Sequence, residues 1–193
     1  MNQPQAAGET LPPVFWGELA PCDHVVQFYG DEDGFLDALQ AYVAEGITAG
    51  EAVVLVVTPG HLDALEARLA GAGVDLAQAR RRGFYTALDA QATLDLFMID
   101  GWPDDDAFAK VVDAILAAPR AAGLKVRAFG EMVAVLWSAG HCGATVRLEY
   151  LWQTLCRKED FALFCAYPKS GFTGDPTTSL LAIRAAHSRV IPG

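Results

Sequence analysis

The chain has 193 residues, of which 52% are hydrophobic and 20% are charged, and its formal net charge is -10. This apolar composition excludes a chain that is mainly disordered, and the length is typical of a single domain. The acidic balance argues against direct nucleic-acid binding, because a negative surface repels phosphate backbones.

Further features of the composition predict a cytoplasmic protein. The most apolar runs, Ala52–Thr58 and Phe161–Tyr167, are about seven residues long, far below the roughly 20 residues that cross a bilayer. The first 20 residues contain no Lys or Arg and no continuous apolar run, so neither a signal peptide nor a membrane span is predicted. The 4 cysteines show no CxxC spacing, which favours reduced thiols over disulfides.

The chain divides into a short irregular start and one long domain. Residues 1–21 contain four prolines and no periodicity, and therefore predict a loosely ordered lead-in. Only its aromatic pair, Phe15-Trp16, is expected to dock on the body. No repeat, linker or low-complexity tract interrupts residues 22–193, so we expect these residues to form a single domain.

Within that domain, predicted strands alternate with predicted helices. His24–Tyr29 predicts a short strand, and apolar residues recur at helical spacing over 35–49 behind the acidic triplet Asp31-Glu32-Asp33. Ala52–Thr58 shows no alternation, which indicates a strand buried on both faces. Further along the chain we predict helices over 61–70, 75–82, 90–98, 104–122, 132–137, 144–157 and 178–190, and strands over 83–88, 125–131 and 161–167. This order predicts an α/β fold of three layers, α/β/α, around a mainly parallel sheet of at least five strands.

The motifs of phosphate-binding and nucleophilic enzymes are missing. The turn after the first strand, Tyr29–Gly34, lacks the lysine and hydroxyl of a GxxxxGK[ST] loop and carries three carboxylates where phosphates would lie. No GxSxG is present, and Cys165 within a predicted strand is interpreted as a core residue. His187 on the last predicted helix is interpreted as solvent-facing. The sequence therefore predicts no enzyme.

Two short pairs were candidates for a metal site. Cys22-x-His24 precedes the first strand and His141-Cys142 lies in a later loop, and together they would supply four zinc ligands. Neither pair has the spacing of a zinc finger, and adjacent residues chelate one ion poorly. The sequence therefore predicts no metal and no cofactor.

Aromatic and acidic residues gather where the predicted strands end. Tyr29, Glu131 and Tyr167 come at or directly after strands, and Trp137 follows in the next helix. Open α/β sheets bind ligands at the carboxyl ends of their strands, and an apolar pocket with a few polar groups is typical of small-molecule sites. Ordinary packing at strand ends is the alternative interpretation.

Six blocks of sequence resemble one family. In order they are HVVQFYGDEDGFLDAL, GEAVVLVVTPGHLDAL, RGFYTALDAQATLDLFMIDGWPD, VRAFGEMVAVLW, RLEYLWQTL and FALFCAYPKSGF. The chain resembles the MEDS domain, the sensory domain of methanogen and methylotroph regulators, over about residues 22–190. The resemblance implies a RecA/KaiC-like fold with a degenerate P-loop that senses small hydrocarbon derivatives. Together with Trp137 from the strand-end pattern, the candidate ligand-binding residues are His24, Gln27, Phe28, Tyr29, Glu131, Met132, Trp137 and Tyr167.

Two functions follow as hypotheses. The first is a stand-alone sensory module that binds a small apolar or hydrocarbon-derived molecule and signals by contact with another protein, because no output domain is evident. We expect that partner to be a histidine kinase or a transcription regulator supplied in trans. The second is a protein–protein adaptor without a ligand, whose remnant nucleotide site is filled by side chains.

Overall fold

The computed structural model describes residues 16–172, 177–191 and 193. Most of the predicted lead-in, including Phe15, lies outside the described residues. Trp16 is only 2% exposed, and its ring lies 4.9 Å from that of Tyr42 and 5.0 Å from that of Phe164. The prediction that Trp16 docks on the body is therefore confirmed.

The domain is built around a parallel sheet of six strands, in the order β3-β2-β6-β7-β1-β8. Its strands are β1 (His24–Tyr29), β2 (Ala52–Val57), β3 (Tyr85–Asp89), β6 (Val126–Gly130), β7 (Ala162–Pro168) and β8 (Arg189–Ile191). A separate antiparallel hairpin pairs β4 (Met98–Ile99) with β5 (Trp102–Pro103). The two continuously apolar segments form β2 and β7, which are both interior strands of the sheet, so the predicted parallel sheet is confirmed.

Helices cover both faces of the sheet. They are α1 (Glu32–Thr48), α2 (Pro59–Gly71), α3 (Leu76–Arg81), α4 (Ala90–Leu94), α5 (Asp105–Ala121), α6 (Met132–Ser138), α7 (Cys142–Glu159) and α8 (Thr177–Ala185). One core contains the apolar residues of α1, α2 and α3 with Trp16, and a second core contains those of α4 to α8. We call these sides the α1 face and the α7 face. The domain therefore has the predicted three layers.

The second strand shows why its sequence lacks alternation. Val54 and Val56 point to the core of the α7 face, whereas Val53, Leu55 and Val57 point to the core of the α1 face. A strand that is covered on both sides has to be apolar at every position. All six residues of β2 are buried as a result.

Acidic residues that follow the strands cap helices. Asp31 is the N-cap of α1 and accepts a hydrogen bond from the Gly34 backbone N–H at 2.9 Å. Asp89 and Asp104 cap α4 and α5 in the same way. These carboxylates satisfy N–H groups that a helix leaves unpaired at its start.

The structure differs from the prediction near the end of the chain. The last helix was predicted over 178–190, but α8 ends at Ala185, and residues 189–191 form the edge strand β8 beside β1. The hairpin of β4 and β5 was also not predicted, and α7 begins at Cys142 inside a predicted loop. Short strands of two or three residues depend on tertiary pairing, which overrides their local propensity.

The structure bears on two of the predictions from composition. None of the helices in the described ranges is long and apolar enough to cross a bilayer. Cys22, Cys142, Cys156 and Cys165 are all free thiols.

Candidate functional site

A polar network centred on Glu131 lies at the carboxyl ends of β2 and β6. The Glu131 side chain is 7% exposed, and its Oε2 accepts a hydrogen bond from the Thr58 backbone N–H at 2.7 Å. Its Oε1 is hydrogen-bonded to Nδ1 of His61 in the first turn of α2. Because β2 and β6 are neighbours in the sheet, the residues that follow them meet at one place. The hydrogen bond that His61 donates to Glu131 is the main cause that raises the pKa of His61.

The side of this network facing α1 is filled by the protein itself. Nε2 of His61 lies 3.5 Å from Oε1 of Glu32, and its ring lies 5.1 Å from that of Phe35. The ring of Tyr29 stacks on Phe35 with centroids 4.5 Å apart. Burial, followed by the nearby charge of Glu131, raises the pKa of Tyr29 to about 12. Around this network, the groups at the strand ends on the α1 face are two carboxylates, an imidazole and two aromatic rings.

A cluster of aromatic rings occupies the α7 face at the ends of β1 and β7. Phe28 and Tyr167 are paired in register on these strands, and their rings stack at 5.7 Å. Trp137 donates its indole N–H to the Gly171 carbonyl at 2.7 Å and lies 4.5 Å from the ring of Phe172. Of the predicted site residues, the structure thus brings Phe28, Trp137 and Tyr167 together in one place.

The predicted site residues as a whole do not form a single site. Tyr29 and Glu131 belong to the network on the α1 face, on the other side of the sheet from Tyr167. Met132 is 1% exposed in the core of the α7 face, and Gln27 is buried within β1. His24 is the first residue of β1, five positions before Tyr29, and belongs to a third group described next.

Four chemically reactive side chains meet in the interior of the α7 face. Ligand-type atoms of His24, Glu149, Cys165 and His187 all lie within 4.8 Å of one another. Oε2 of Glu149 is 3.3 Å from Nε2 of His24 and 3.4 Å from Nε2 of His187, and Oε1 accepts a hydrogen bond from the Tyr167 hydroxyl. We call these four residues the buried polar cluster.

The interpretation of His187 as solvent-facing is wrong. Its side chain is 0% exposed, because the chain turns after α8 and continues into β8, which places His187 against Glu149. Burial lowers the pKa of His187 to about 4, so the imidazole is neutral at neutral pH. Burial also raises the pKa of the Cys165 thiol well above its usual range, which agrees with its interpretation as a core residue.

Sequence reasoning missed Glu149, although the sequence carries a signal for it. Glu149 lies four residues after Thr145 and three before Trp152, and all three are buried on one stripe of α7. A carboxylate on the apolar stripe of a helix is unusual, since buried charges require partners. Its 0% exposure and its ring of polar neighbours show that this position is a built polar site.

A cavity of about 580 Å³ that is open to solvent on its outer side lies at the edge of the sheet on the α7 face, between β3, α4 and α5. Its described lining is largely apolar, with two threonines and one lysine. The lining residues are Thr86, Leu88, Thr93, Leu96, Lys110, Val111, Ala114, Ile115, Ala118 and Pro119. Small-molecule sites of proteins have volumes of about 300–1,000 Å³ and are mostly apolar, so this cavity has the size and character of such a site.

The fold is shared with a protein of known structure. The structure is similar to the crystal structure of a KaiC-like protein from the hyperthermophilic archaeon Pyrococcus horikoshii OT3, with a TM-score of 0.62 and 14% sequence identity. The match covers 89% of this chain and 72% of that chain, and it shows a RecA/KaiC-like fold. No curated protein matches the sequence.

The family follows from the sequence itself. Residues 23–187 match the family described as the methanogen/methylotroph, DcmR sensory domain, abbreviated MEDS. This match covers most of the chain, and the chain therefore belongs to the MEDS family, as the six blocks of its sequence predicted. The family is one of sensory domains, which gives this protein a sensory or regulatory role.

Proposed function

We propose that this protein is a sensory module that binds a small apolar molecule and signals by contact with another protein, without catalysing a reaction. The observation that carries the proposal is the apolar cavity of about 580 Å³ between β3, α4 and α5. An uncharged ligand suits this cavity, because Lys110 is the one charged residue among its described lining residues. A hydrocarbon or a hydrocarbon derivative is the class of ligand that such walls favour.

An exposed apolar surface beside the cavity supports signalling by contact. Leu96, Ile99 and Trp102 are 65%, 56% and 56% exposed, and they follow one another from the end of α4 through the hairpin. Leu96 also lines the cavity, so a bound molecule and a docked protein would share one side chain. Exposed apolar patches of this kind often mark protein contacts. The partner proposed here is a histidine kinase or a transcription regulator supplied in trans.

The strand ends support the absence of phosphoryl-transfer chemistry. The Asp31 side chain accepts a hydrogen bond from the Gly34 backbone N–H in the first turn of α1, so it places a negative charge at the helix end where a nucleotide-binding loop would hold phosphates. Glu131 is engaged by Thr58 and His61, and no lysine or hydroxyl of a phosphate-binding loop is present in the Tyr29–Gly34 turn. Phosphoryl transfer would therefore lack its main electrostatic stabilisation.

The ligand proposal is tested by filling the cavity. We would titrate the folded protein with dichloromethane, benzene and hexan-1-ol and follow backbone amide shifts by NMR. Ala114→Leu places a larger side chain in the cavity, whereas Ala117→Leu adds the same atoms at an exposed position of α5 that does not line it. We expect wild type and Ala117→Leu to respond around α4 and α5, and Ala114→Leu to lose the response.

Amide shifts in another part of the molecule would contradict the placement of the ligand in the cavity. Shifts centred on Phe28, Trp137 and Tyr167, unchanged by Ala114→Leu, would assign the ligand to the aromatic cluster instead. Native mass spectrometry of the purified protein provides an independent readout, because a tightly held ligand co-purifies with it.

The absence of nucleotide chemistry is tested by calorimetry with ATP, ADP and adenosine. We expect no hydrolysis, and no affinity tighter than roughly millimolar, which corresponds to about -4 kcal/mol. Micromolar binding that strengthens with the number of phosphates would contradict the proposal and favour an ATPase.

A ligand-free adaptor is the second candidate function. The observation that favours it is the filled network on the α1 face, where both carboxylate oxygens of Glu131 are already bound by Thr58 and His61. An adaptor would bind its partner equally well with and without the three probe molecules. A sensor would bind its partner with an affinity that a ligand in the cavity changes.

A further inference from the structure

The buried polar cluster joins residues that are remote in sequence. His24 begins β1, Cys165 lies in β7 beside Val26, Glu149 lies in the middle of α7, and His187 follows α8. All four residues are buried: counted over the whole residue, His24 is 2%, Glu149 and Cys165 are 0% and His187 is 9% exposed, and the side chain of His187 alone is 0% exposed. Apolar side chains would pack such an interior at lower cost, so the four groups require a specific explanation.

The two imidazoles are held with their Nε2 atoms facing the centre of the cluster. Nδ1 of His24 lies 3.0 Å from the Ala186 carbonyl, and Nδ1 of His187 lies 2.6 Å from the Ile183 carbonyl. A carbonyl oxygen only accepts, so each Nδ1 carries a proton, and Nε2 is the atom of each ring that faces the centre of the cluster. A backbone carbonyl that fixes the tautomer in this way is typical of metal-binding histidines.

The inward-facing atoms are all potential donors of lone pairs to a cation. Oε2 of Glu149 is approached by Nε2 of both imidazoles, at 3.3 Å for His24 and 3.4 Å for His187. Nε2 of His187 is buried and makes no hydrogen bond within the described part of the chain. No Lys or Arg forms an ion pair with Glu149 among the described residues. The centre of the cluster therefore offers a place for positive charge.

The distances fit a four-coordinate ion. Cys165 Sγ is 3.5 Å from Nε2 of His24 and 3.8 Å from Oε2 of Glu149, and the two nitrogen–oxygen separations are 3.3 and 3.4 Å. A tetrahedral zinc site with bonds of about 2.0–2.3 Å has ligand–ligand edges of about 3.3–3.6 Å. The His24 and His187 rings stack with centroids 3.9 Å apart, so occupation requires the two imidazoles to move apart while the other edges stay near their present lengths.

We propose that His24, Glu149, Cys165 and His187 form a buried site for a divalent transition-metal ion, with zinc as the ion of best-matched ligands. Two imidazoles, one thiolate and one carboxylate are zinc ligands. The thiolate and the carboxylate together balance the charge of a dication, and the Tyr167 hydroxyl holds the second carboxylate oxygen. Four protein ligands fill the coordination shell, which makes this a closed structural site that joins β1, β7, α7 and the segment after α8.

The proposed site differs from the two Cys/His pairs that the sequence analysis considered as metal ligands. Of Cys22, His24, His141 and Cys142, only His24 belongs to it, and its other ligands come from positions that no short spacing connects. The prediction that the chain holds no metal is thus replaced by a proposal that rests on long-range contacts.

Cobalt(II) is the probe for this proposal. The full chain, stripped with a chelator, is titrated with Co²⁺, and we expect one ion per chain with the intense visible d–d bands of tetrahedral cobalt and a thiolate-to-cobalt charge-transfer band. Cys165→Ser should lose the charge-transfer band and weaken zinc binding by more than about 100-fold, beyond the 10–100-fold typical of groups that only orient a ligand. Cys156→Ser is the matched control, because Cys156 is equally buried in the same core but is not among the four ligands.

A second measurement does not depend on a variant that folds. X-ray absorption of the zinc-loaded wild type should show one sulfur at about 2.3 Å and three nitrogen or oxygen atoms at about 2.0 Å. The proposal is overturned if the folded wild type binds no Co²⁺ stoichiometrically, if the ion is six-coordinate without sulfur, or if Cys156→Ser loses the charge-transfer band and Cys165→Ser keeps it.

Discussion

The network around Glu131 and the buried polar cluster are both built from carboxylates and histidines, but they differ in their access to water. In the network, His61 is 17% exposed and its second partner, Glu32, is 68% exposed. In the cluster, the side chains of Glu149 and His187 are both 0% exposed. A group in contact with water can exchange a lost partner for a water molecule, whereas a sealed group cannot. Substitutions in the cluster should therefore cost more stability than the same substitutions in the network.

The largest effect is expected when the central carboxylate of the cluster is removed. Glu149→Ala leaves the buried Tyr167 hydroxyl without its acceptor and leaves a cavity beside the two imidazoles, and we expect the free energy of unfolding to fall by about 2–5 kcal/mol. Urea unfolding followed by circular dichroism measures the change. Glu45→Ala on the exposed side of α1 is the control and should change stability by less than about 0.5 kcal/mol. If the two substitutions lowered the free energy of unfolding equally, burial of the cluster would not explain its expected contribution to stability.

Removing the Tyr167 hydroxyl, which donates to the buried polar cluster, should have an intermediate effect. Tyr167→Phe keeps the packing of the ring but deletes the hydrogen bond to Glu149, and hydrogen bonds to charged groups contribute about 1.5–3 kcal/mol. Tyr150→Phe is the matched control, because Tyr150 lies on the same helix as Glu149 and is 41% exposed. The difference between the two variants in urea unfolding isolates the buried hydrogen bond. A Tyr167→Phe protein as stable as wild type would show that Glu149 does not need this donor.

The same contrast explains which parts of the molecule the sequence could predict. The place of Glu131 at a strand end could be predicted, because it directly follows a strand and the strand ends of such folds meet at one edge of the sheet. The sheet itself was foreseen from two apolar segments without alternation, which became β2 and β7. In each case the signal is local in the chain or depends only on the general topology of a parallel sheet.

The cluster depends on contacts that no local pattern contains. Glu149 and Cys165 are 16 positions apart, and His24 and Cys165 are 141 apart. The position of His187 depends on β8, whose three residues pair with β1. The sequence instead predicted a helix over 178–190, which includes most of this strand. The one usable signal was a glutamate on the buried stripe of α7, and it indicates a buried polar partner without saying which residue provides it.

A smaller effect is expected in the open network. Glu131→Gln retains an oxygen that can accept from the Thr58 backbone N–H but removes the charge that faces His61, and we expect a loss of about 1 kcal/mol. Glu32→Gln changes only the exposed partner of His61 and should change stability by less than about 0.5 kcal/mol. If Glu131→Gln destabilised the protein as much as Glu149→Ala, access to water would not distinguish the two sites.

The smallest effect is a pH dependence that belongs to the network. Glu131 raises the pKa of His61 above the value of an unfolded chain, so the folded protein holds this proton more tightly than the unfolded one. The resulting stabilisation is fully present below about pH 6.5, the unfolded value, and it is lost as pH rises through the higher folded value. An NMR titration of the His61 ring should give a raised pKa in wild type, and Glu131→Gln should bring it down toward the unfolded value. The free energy of unfolding, measured at about pH 5.5 and about pH 9, should fall more for wild type than for Glu131→Gln. The difference should match the difference between the folded and unfolded pKa of His61. A His61 pKa that Glu131→Gln leaves unchanged would contradict the assignment of the hydrogen bond as its main cause.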